Sequence, residues 1–128
     1  MDPHSRCPCG TGLTYGDCCG RYHAGEPAPT AETLMRSRFT AFATGNTDYL
    51  LRTWDPLTRP ETLDLSESPV RFYRLDILDV SAGGLLDDAG EVEFEAFYKG
   101  QVAGSQRERS RFVRGSDRRW CYSAGDVS

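Results

Sequence analysis

The sequence predicts an α+β protein: a small cysteine-rich module first, then two helices, then a mainly antiparallel β-sheet for them to pack on. Three observations lead there. Four of the five cysteines fall between positions 7 and 19. Apolar residues recur at helical spacing from Leu34 to Trp54. From Val70 onward β-branched and aromatic residues dominate short runs punctuated by glycine. A chain of 128 residues has room for one ordinary domain and a small appendage. A core of that size needs no disulfide staples.

The N-terminal stretch reads Cys7-x-Cys9, eight intervening residues, then Cys18-Cys19. Thiolates bind zinc tightly, and a closed structural site takes four such ligands at tetrahedral angles. Gly10, Gly12 and Gly16 let the connecting loop turn, and Pro8 stiffens the first ligand pair. So short a segment buries no core of its own, and one zinc ion would supply its folding energy. Disulfides and unrelated free thiols are the alternatives. Adjacent cysteines bridge each other only under strain, and no secretory leader is read ahead of them. The fifth cysteine, Cys121, is read as a packing residue on the same face as Ser123.

Residues 1–6 are polar and are expected to fray. Gly20 to Pro29, with Gly25, Pro27 and Pro29, reads as a linker, and His23 as a linker residue beside the metal loop. Thr30 is a suitable N-cap, with Glu32 in the first turn. Leu34, Met35, Phe39 and Phe42 then mark one face of a helix that Gly45 stops. A second helix is predicted over 47–54, ending before Pro56. Residues 56–69 hold three prolines and read as loop. Strands are predicted over 70–81, 91–99, 106–114 and 119–124.

Charge fixes a register for the middle strands. Pairing 91–99 antiparallel with 106–113 puts Glu91, Glu93 and Glu95 on one face with Arg107, Arg109 and Arg111. Val92, Phe94, Ala96, Tyr98, Phe112, Trp120 and Tyr122 then form the buried face. Glu108 and Ser110 fall on that face too, and a carboxylate there requires compensation. Arg36 and Arg38, on the covering helix, are the candidate partners. Two readings stay open: a buried ion pair that fixes helix against sheet, or a pocket lined by Arg36, Arg38, Tyr49, Tyr98 and Glu108.

The net charge of −4 argues against a general nucleic-acid binder. No apolar run approaches a membrane span, and the default expectation is a soluble cytoplasmic protein.

The motif Cys-x-Cys-Gly-x-Gly-x-x-Tyr-x-x-Cys-Cys-Gly resembles the SEC-C zinc motif found at the carboxyl terminus of SecA. The whole chain resembles the YchJ family of small bacterial proteins, through Leu34 to Phe39, Tyr49 to Trp54, Glu108 to Phe112, Trp120 and Tyr122. The resemblance implies metal ligation by Cys7, Cys9, Cys18 and Cys19. It also implies two units, residues 1–25 as a SEC-C-type zinc module and 30–126 as a cone-like domain similar to nuclear transport factor two, with a curved sheet. It brings no established activity.

Two classes of function follow. In the first, the zinc module is a rigid knob that docks on a protein partner, as the SecA motif does, and the cone domain positions it, with a homodimer through the outer sheet face as a further expectation. Four thiolates saturate zinc and leave no position for water activation, so catalysis at the metal is not expected. In the second, the cone domain is an enzyme or small-ligand binder, with Glu108 as general base and Tyr98 or Tyr49 polarising a substrate. Both histidines, His4 and His23, lie outside that domain, and no complete catalytic constellation can be placed by spacing. A zinc knuckle gripping RNA through Arg6, Tyr15, Arg21, Tyr22 and His23 ranks below both, because Asp2 and Asp17 dilute the charge.

Overall fold

The computed structural model describes residues 1–65 and 69–127. Three helices precede four strands: α1 (Cys19–His23), α2 (Ala31–Thr44), α3 (Thr47–Arg52), β1 (Val70–Ala82), β2 (Ala89–Gly100), β3 (Gly104–Arg114) and β4 (Trp120–Val127). The strands form one antiparallel sheet in the order β1-β2-β3-β4. Each strand pairs with its sequence neighbour, so short turns alone complete the topology. The fold is therefore α+β, as the sequence predicts.

α2 begins where predicted. The Thr30 hydroxyl accepts from the Thr33 amide at 3.1 Å, and the helix runs to Gly45. Its N-terminus is pinned to the sheet by the Ala31 amide, which donates to the Gly83 carbonyl at 2.9 Å. That contact requires glycine just after β1 and in β2: a Cβ at Gly90 would collide with Gly83 Cα, and one at Gly83 would lie 2.7 Å from the Ala31 methyl.

α3 ends two residues before the predicted Trp54. The chain leaves the helix to join the sheet: Tyr122 donates its amide to the Thr53 carbonyl, Asp55 donates to the Tyr122 carbonyl, and Trp54 pairs parallel with Tyr122. Backbone satisfaction on β4 here outweighs one more helical turn. Residues 56–65 are turns and irregular chain; the remainder of the predicted loop, 66–68, lies outside the described residues.

The β2–β3 register is the one expected from charge, with Glu91 opposite Arg111, Glu93 opposite Arg109 and Glu95 opposite Arg107. Most of the ion pairs are made diagonally, as twist in a sheet favours, and Arg109 also meets its direct partner Glu93. Arg107 reaches Glu93, Arg109 reaches Glu91, Glu93 and Asp79, and Arg111 reaches Asp126. β4 runs three residues beyond its predicted end, because a bulge opposite Arg111 and Phe112 restores pairing down to Glu108. On the other face Val92, Phe94, Phe112 and Trp120 are buried with Leu34 and Phe39 of α2. Tyr122 and Tyr98 are half-buried. Cys121 is 9% exposed, and burial pushes its thiol above the ordinary range.

The cysteine loop belongs to the same core. Cys7, Cys9, Cys18 and Cys19 cluster with Leu34, Leu50 and Phe112 rather than standing apart. Residues 1–6 do not fray either: Arg6 pairs with Thr14, and the Tyr15 and Gly16 amides donate to the carbonyls of Ser5 and Pro3. No helix among the described residues is long and apolar enough to cross a membrane.

Candidate metal centre

Backbone hydrogen bonds shape the cysteine loop. The Cys7 amide donates to Leu13, the Gly10 amide returns to Cys7, and the Cys18 amide donates to Tyr15 before α1 begins. Gly10 and Gly12 hold φ of 87° and 89°, values that a side chain disfavours. The result brings all four sulfurs within 4.8 Å of one another. Cys9 and Cys18 are 3.6 Å apart and Cys18 and Cys19 are 4.0 Å apart. A tetrahedral zinc–thiolate site needs sulfurs about 3.8 Å apart. The donor set therefore fits one metal ion of that size, which Cys7, Cys9, Cys18 and Cys19 would hold. No disulfide joins these cysteines.

The sulfurs are shielded from water. Cys9, Cys19 and Cys7 are 0%, 1% and 2% exposed, and Cys18 is the outermost at 8%. Hydrogen bonds from the Cys19 and Cys9 thiols push Cys7 far below the ordinary thiol range, whereas its bond to Cys7 and burial push Cys19 far above. Crowded sulfurs share protons in this way when nothing else neutralises them, which is the chemistry a divalent cation relieves.

α2 supplies the platform. The Thr40 hydroxyl lies 3.3 Å from Cys19 Sγ and 3.6 Å from Cys7 Sγ. Arg36 donates to the Cys9 carbonyl at 2.8 Å and pairs with Glu32. His23 bridges loop and helix: its Nε2 faces the Ser37 carbonyl at 2.8 Å and its Nδ1 faces the Tyr15 hydroxyl at 2.6 Å. A carbonyl only accepts, so Nε2 carries the hydrogen and Nδ1 accepts from Tyr15. With both nitrogens engaged, His23 is a strut between loop and helix, and not a spare ligand. Its position four residues beyond Cys19 was the one sequence signal for that role. Thr40 gave none, since a mid-helix threonine looks like any other.

The residues expected around Glu108 separate into two groups. Arg38 and Glu108 line one cavity of about 200 Å³, but they form no ion pair. Arg38 is 3% exposed, and its Nη1 donates to the Leu50 carbonyl and the Thr53 hydroxyl, each at 2.8 Å. Its guanidinium lies 5.0 Å from the Trp54 ring centroid and 4.7 Å from that of Tyr122. Burial pushes its pKa down to about 10, which still leaves a cation at neutral pH. Glu108 accepts from the Ser110 hydroxyl. The other three lie elsewhere. Arg36 is committed to Cys9 and Glu32 on the loop side of α2. Tyr49 bonds Ser37 at 2.7 Å and stacks near His23. Tyr98 packs edge-on to Phe72 and does not line the cavity. The physical reason is helical phase: Arg36 and Arg38 are about 200° apart around α2, so they cannot serve one partner.

Comparisons with known proteins find two matches along the chain. The SEC-C motif matches residues 5–21, and the YchJ middle NTF2-like domain matches residues 30–125. A UPF0225 protein of Corynebacterium efficiens is 62% identical over 124 residues, 96% of this chain and 94% of that one. A UPF0225 protein of Streptomyces coelicolor is 50% identical over 97% of both chains. Among solved structures, a SEC-C motif containing protein from Rhodopseudomonas palustris superimposes with a TM-score of 0.81 at 35% identity, covering 95% of this chain and 98% of that one. A second, from Psychrobacter arcticus, gives 0.79 at 28% identity, covering 98% and 84%. Four clustered thiols on a SEC-C motif, followed by an NTF2-like domain matched over residues 30–125, place this chain in the YchJ (UPF0225) family.

Proposed function

We propose that the chain is a zinc-stapled interaction protein: residues 1–25 form a docking knob, and residues 30–126 form the body that holds it. The observation that carries this reading is the buried cluster of four thiols, all within 4.8 Å. Four sulfurs complete the shell of zinc, so the ion has a structural role and no position for a substrate. Free thiols at that spacing favour a reducing compartment, the cytoplasm. What the staple displays outward is the turn from Gly10 to Leu13, with the Leu13 side chain 52% exposed at its tip. An exposed leucine on a rigid, metal-fixed turn is suited to a protein partner.

Elemental analysis of freshly purified, reduced protein tests the metal: one zinc per chain is expected, and absence of metal refutes the reading. Partner capture tests the knob. The intact protein is compared with Leu13→Asp, which keeps the metal, and with the Cys18→Ser, Cys19→Ser double variant, which loses it. Both variants should lose the same partner. Retention by both variants would move the interaction to the cone domain.

A further inference from the structure

We propose that the cavity between α2 and the sheet binds a small ring-bearing molecule of no net charge, which accepts a hydrogen bond from Arg38 and donates one to Glu108. This site is separate from the metal centre, and the inference stands apart from the docking reading.

The cavity carries two opposite charges that do not satisfy each other. Arg38 is nine-tenths or more buried, held by the Leu50 carbonyl, Thr53 and two aromatic rings. Both of its hydrogen bonds leave from Nη1, towards Leu50 and Thr53 and not towards Glu108. Glu108, on β3, takes one hydrogen bond through Oε2 from Ser110, and its Oε1 has no donor among the described residues. A guanidinium and a carboxylate that face one cavity without meeting leave room for a group that bridges them. Their charges cancel, so an anionic or cationic guest would bring an uncompensated charge into a poorly solvated space. A neutral guest with one acceptor and one donor brings none.

The rest of the wall is apolar. Phe72 meets Phe39 and Phe42 edge-on, at 6.1 and 6.4 Å between centroids, and Phe94 and Ala96 close the sheet side. An apolar cavity of about 150 Å³ takes up benzene. At about 200 Å³, this one has space for a six-membered ring and one small polar substituent. Aromatic primary amides meet all three requirements: ring, carbonyl acceptor and N–H donor.

Titration of the isotope-labelled full chain with four probes, followed by amide and indole NMR signals, tests this. The probes are benzamide, benzoate, benzylamine and toluene. Benzamide should shift the Trp54 indole and the Ser110 and Gly125 amides, with benzoate and benzylamine weaker by about tenfold or more. Ala96→Leu, which fills the cavity, should abolish the shifts. Glu108→Gln keeps the shape but leaves Arg38 uncompensated, so preference should pass to benzoate. The inference is overturned if no probe moves these signals, if toluene binds as well as benzamide, if benzoate is preferred by the unmodified protein, or if binding survives Ala96→Leu.

Discussion

Removing the metal should destabilise the sheet domain as well as the cysteine loop. Four side-chain contacts tie the loop to α2: Thr40 to Cys7, Thr40 to Cys19, Arg36 to the Cys9 carbonyl, and His23 to the Ser37 carbonyl. At about 1 kcal/mol each, with the charged Arg36 bond above that and the sulfur contacts below, they couple loop and body by about 4 kcal/mol. Native domains hold only about 5–15 kcal/mol in total, so that loss is a large fraction. With an unfolding entropy of about 2.1 cal/mol/K per residue, 128 residues convert it to a drop in Tm of about 15 °C. Trp54 and Trp120 are the only tryptophans, and both lie outside the loop, so their fluorescence reports the body alone. Thermal melts of metal-loaded and chelated protein should therefore show the tryptophan transition moving down by that amount. A chelated protein whose tryptophan transition stays within about 3 °C would refute the coupling, and would show that Pro27 and Pro29 isolate the loop.

Other expectations follow from single sites. Glu108→Ala should cost under about 1 kcal/mol by denaturant titration, because its one hydrogen bond is to Ser110 and no arginine pairs with it. Arg38→Met should cost about 3 kcal/mol, since it strips the Leu50 carbonyl and Thr53 of a charged donor and two rings of their cation; a double cycle with Glu108→Ala should show weak coupling. Gly90→Ala should cost about 3 kcal/mol or prevent folding, because the new methyl meets Gly83 backbone, and circular dichroism melts would show it. His23 is held neutral, its pKa pushed below the ordinary value mainly by burial. The unfolded chain therefore binds a proton first, so stability should be full above about pH 6.5 and fall as pH drops below it. Replacing His23 with Gln should remove that share of the slope in excess zinc.

The cysteine cluster and the sheet register were legible because each rests on a short-range pattern. Cys7, Cys9, Cys18 and Cys19 fix a loop by spacing alone, and alternate glutamates and arginines fix which residues of β2 and β3 face each other. What the sequence hid was phase and long-range contact. Arg36 and Arg38 sit two apart and look interchangeable, yet one turns to the cysteine loop and the other to the cavity. Trp54 looked like the end of α3, because its pairing partner Tyr122 is remote in sequence. Gly125 lay just past the predicted end of the last strand, 119–124. In the structure it lets β4 pass beneath the Glu108 carboxylate, where a Cβ would collide with Oε2.

α2 is the element that both halves of the molecule share, and its two faces do different chemistry. Arg36, Ser37 and Thr40 lie towards the cysteines, whereas Met35, Arg38, Phe39 and Phe42 roof the cavity. The helix is held rigidly: its first amide is bonded to Gly83, and Arg38 anchors it to α3 through Leu50 and Thr53. A packed helix fixed at its first turn and again at its middle does not bend to relay a small change from one face to the other. Metal binding and cavity filling should therefore be thermodynamically independent while the fold is intact. Ala96→Leu should leave zinc content and affinity unchanged, and they would become linked only through global unfolding. A shift in zinc affinity on filling the cavity would mean that α2 has a second resting position.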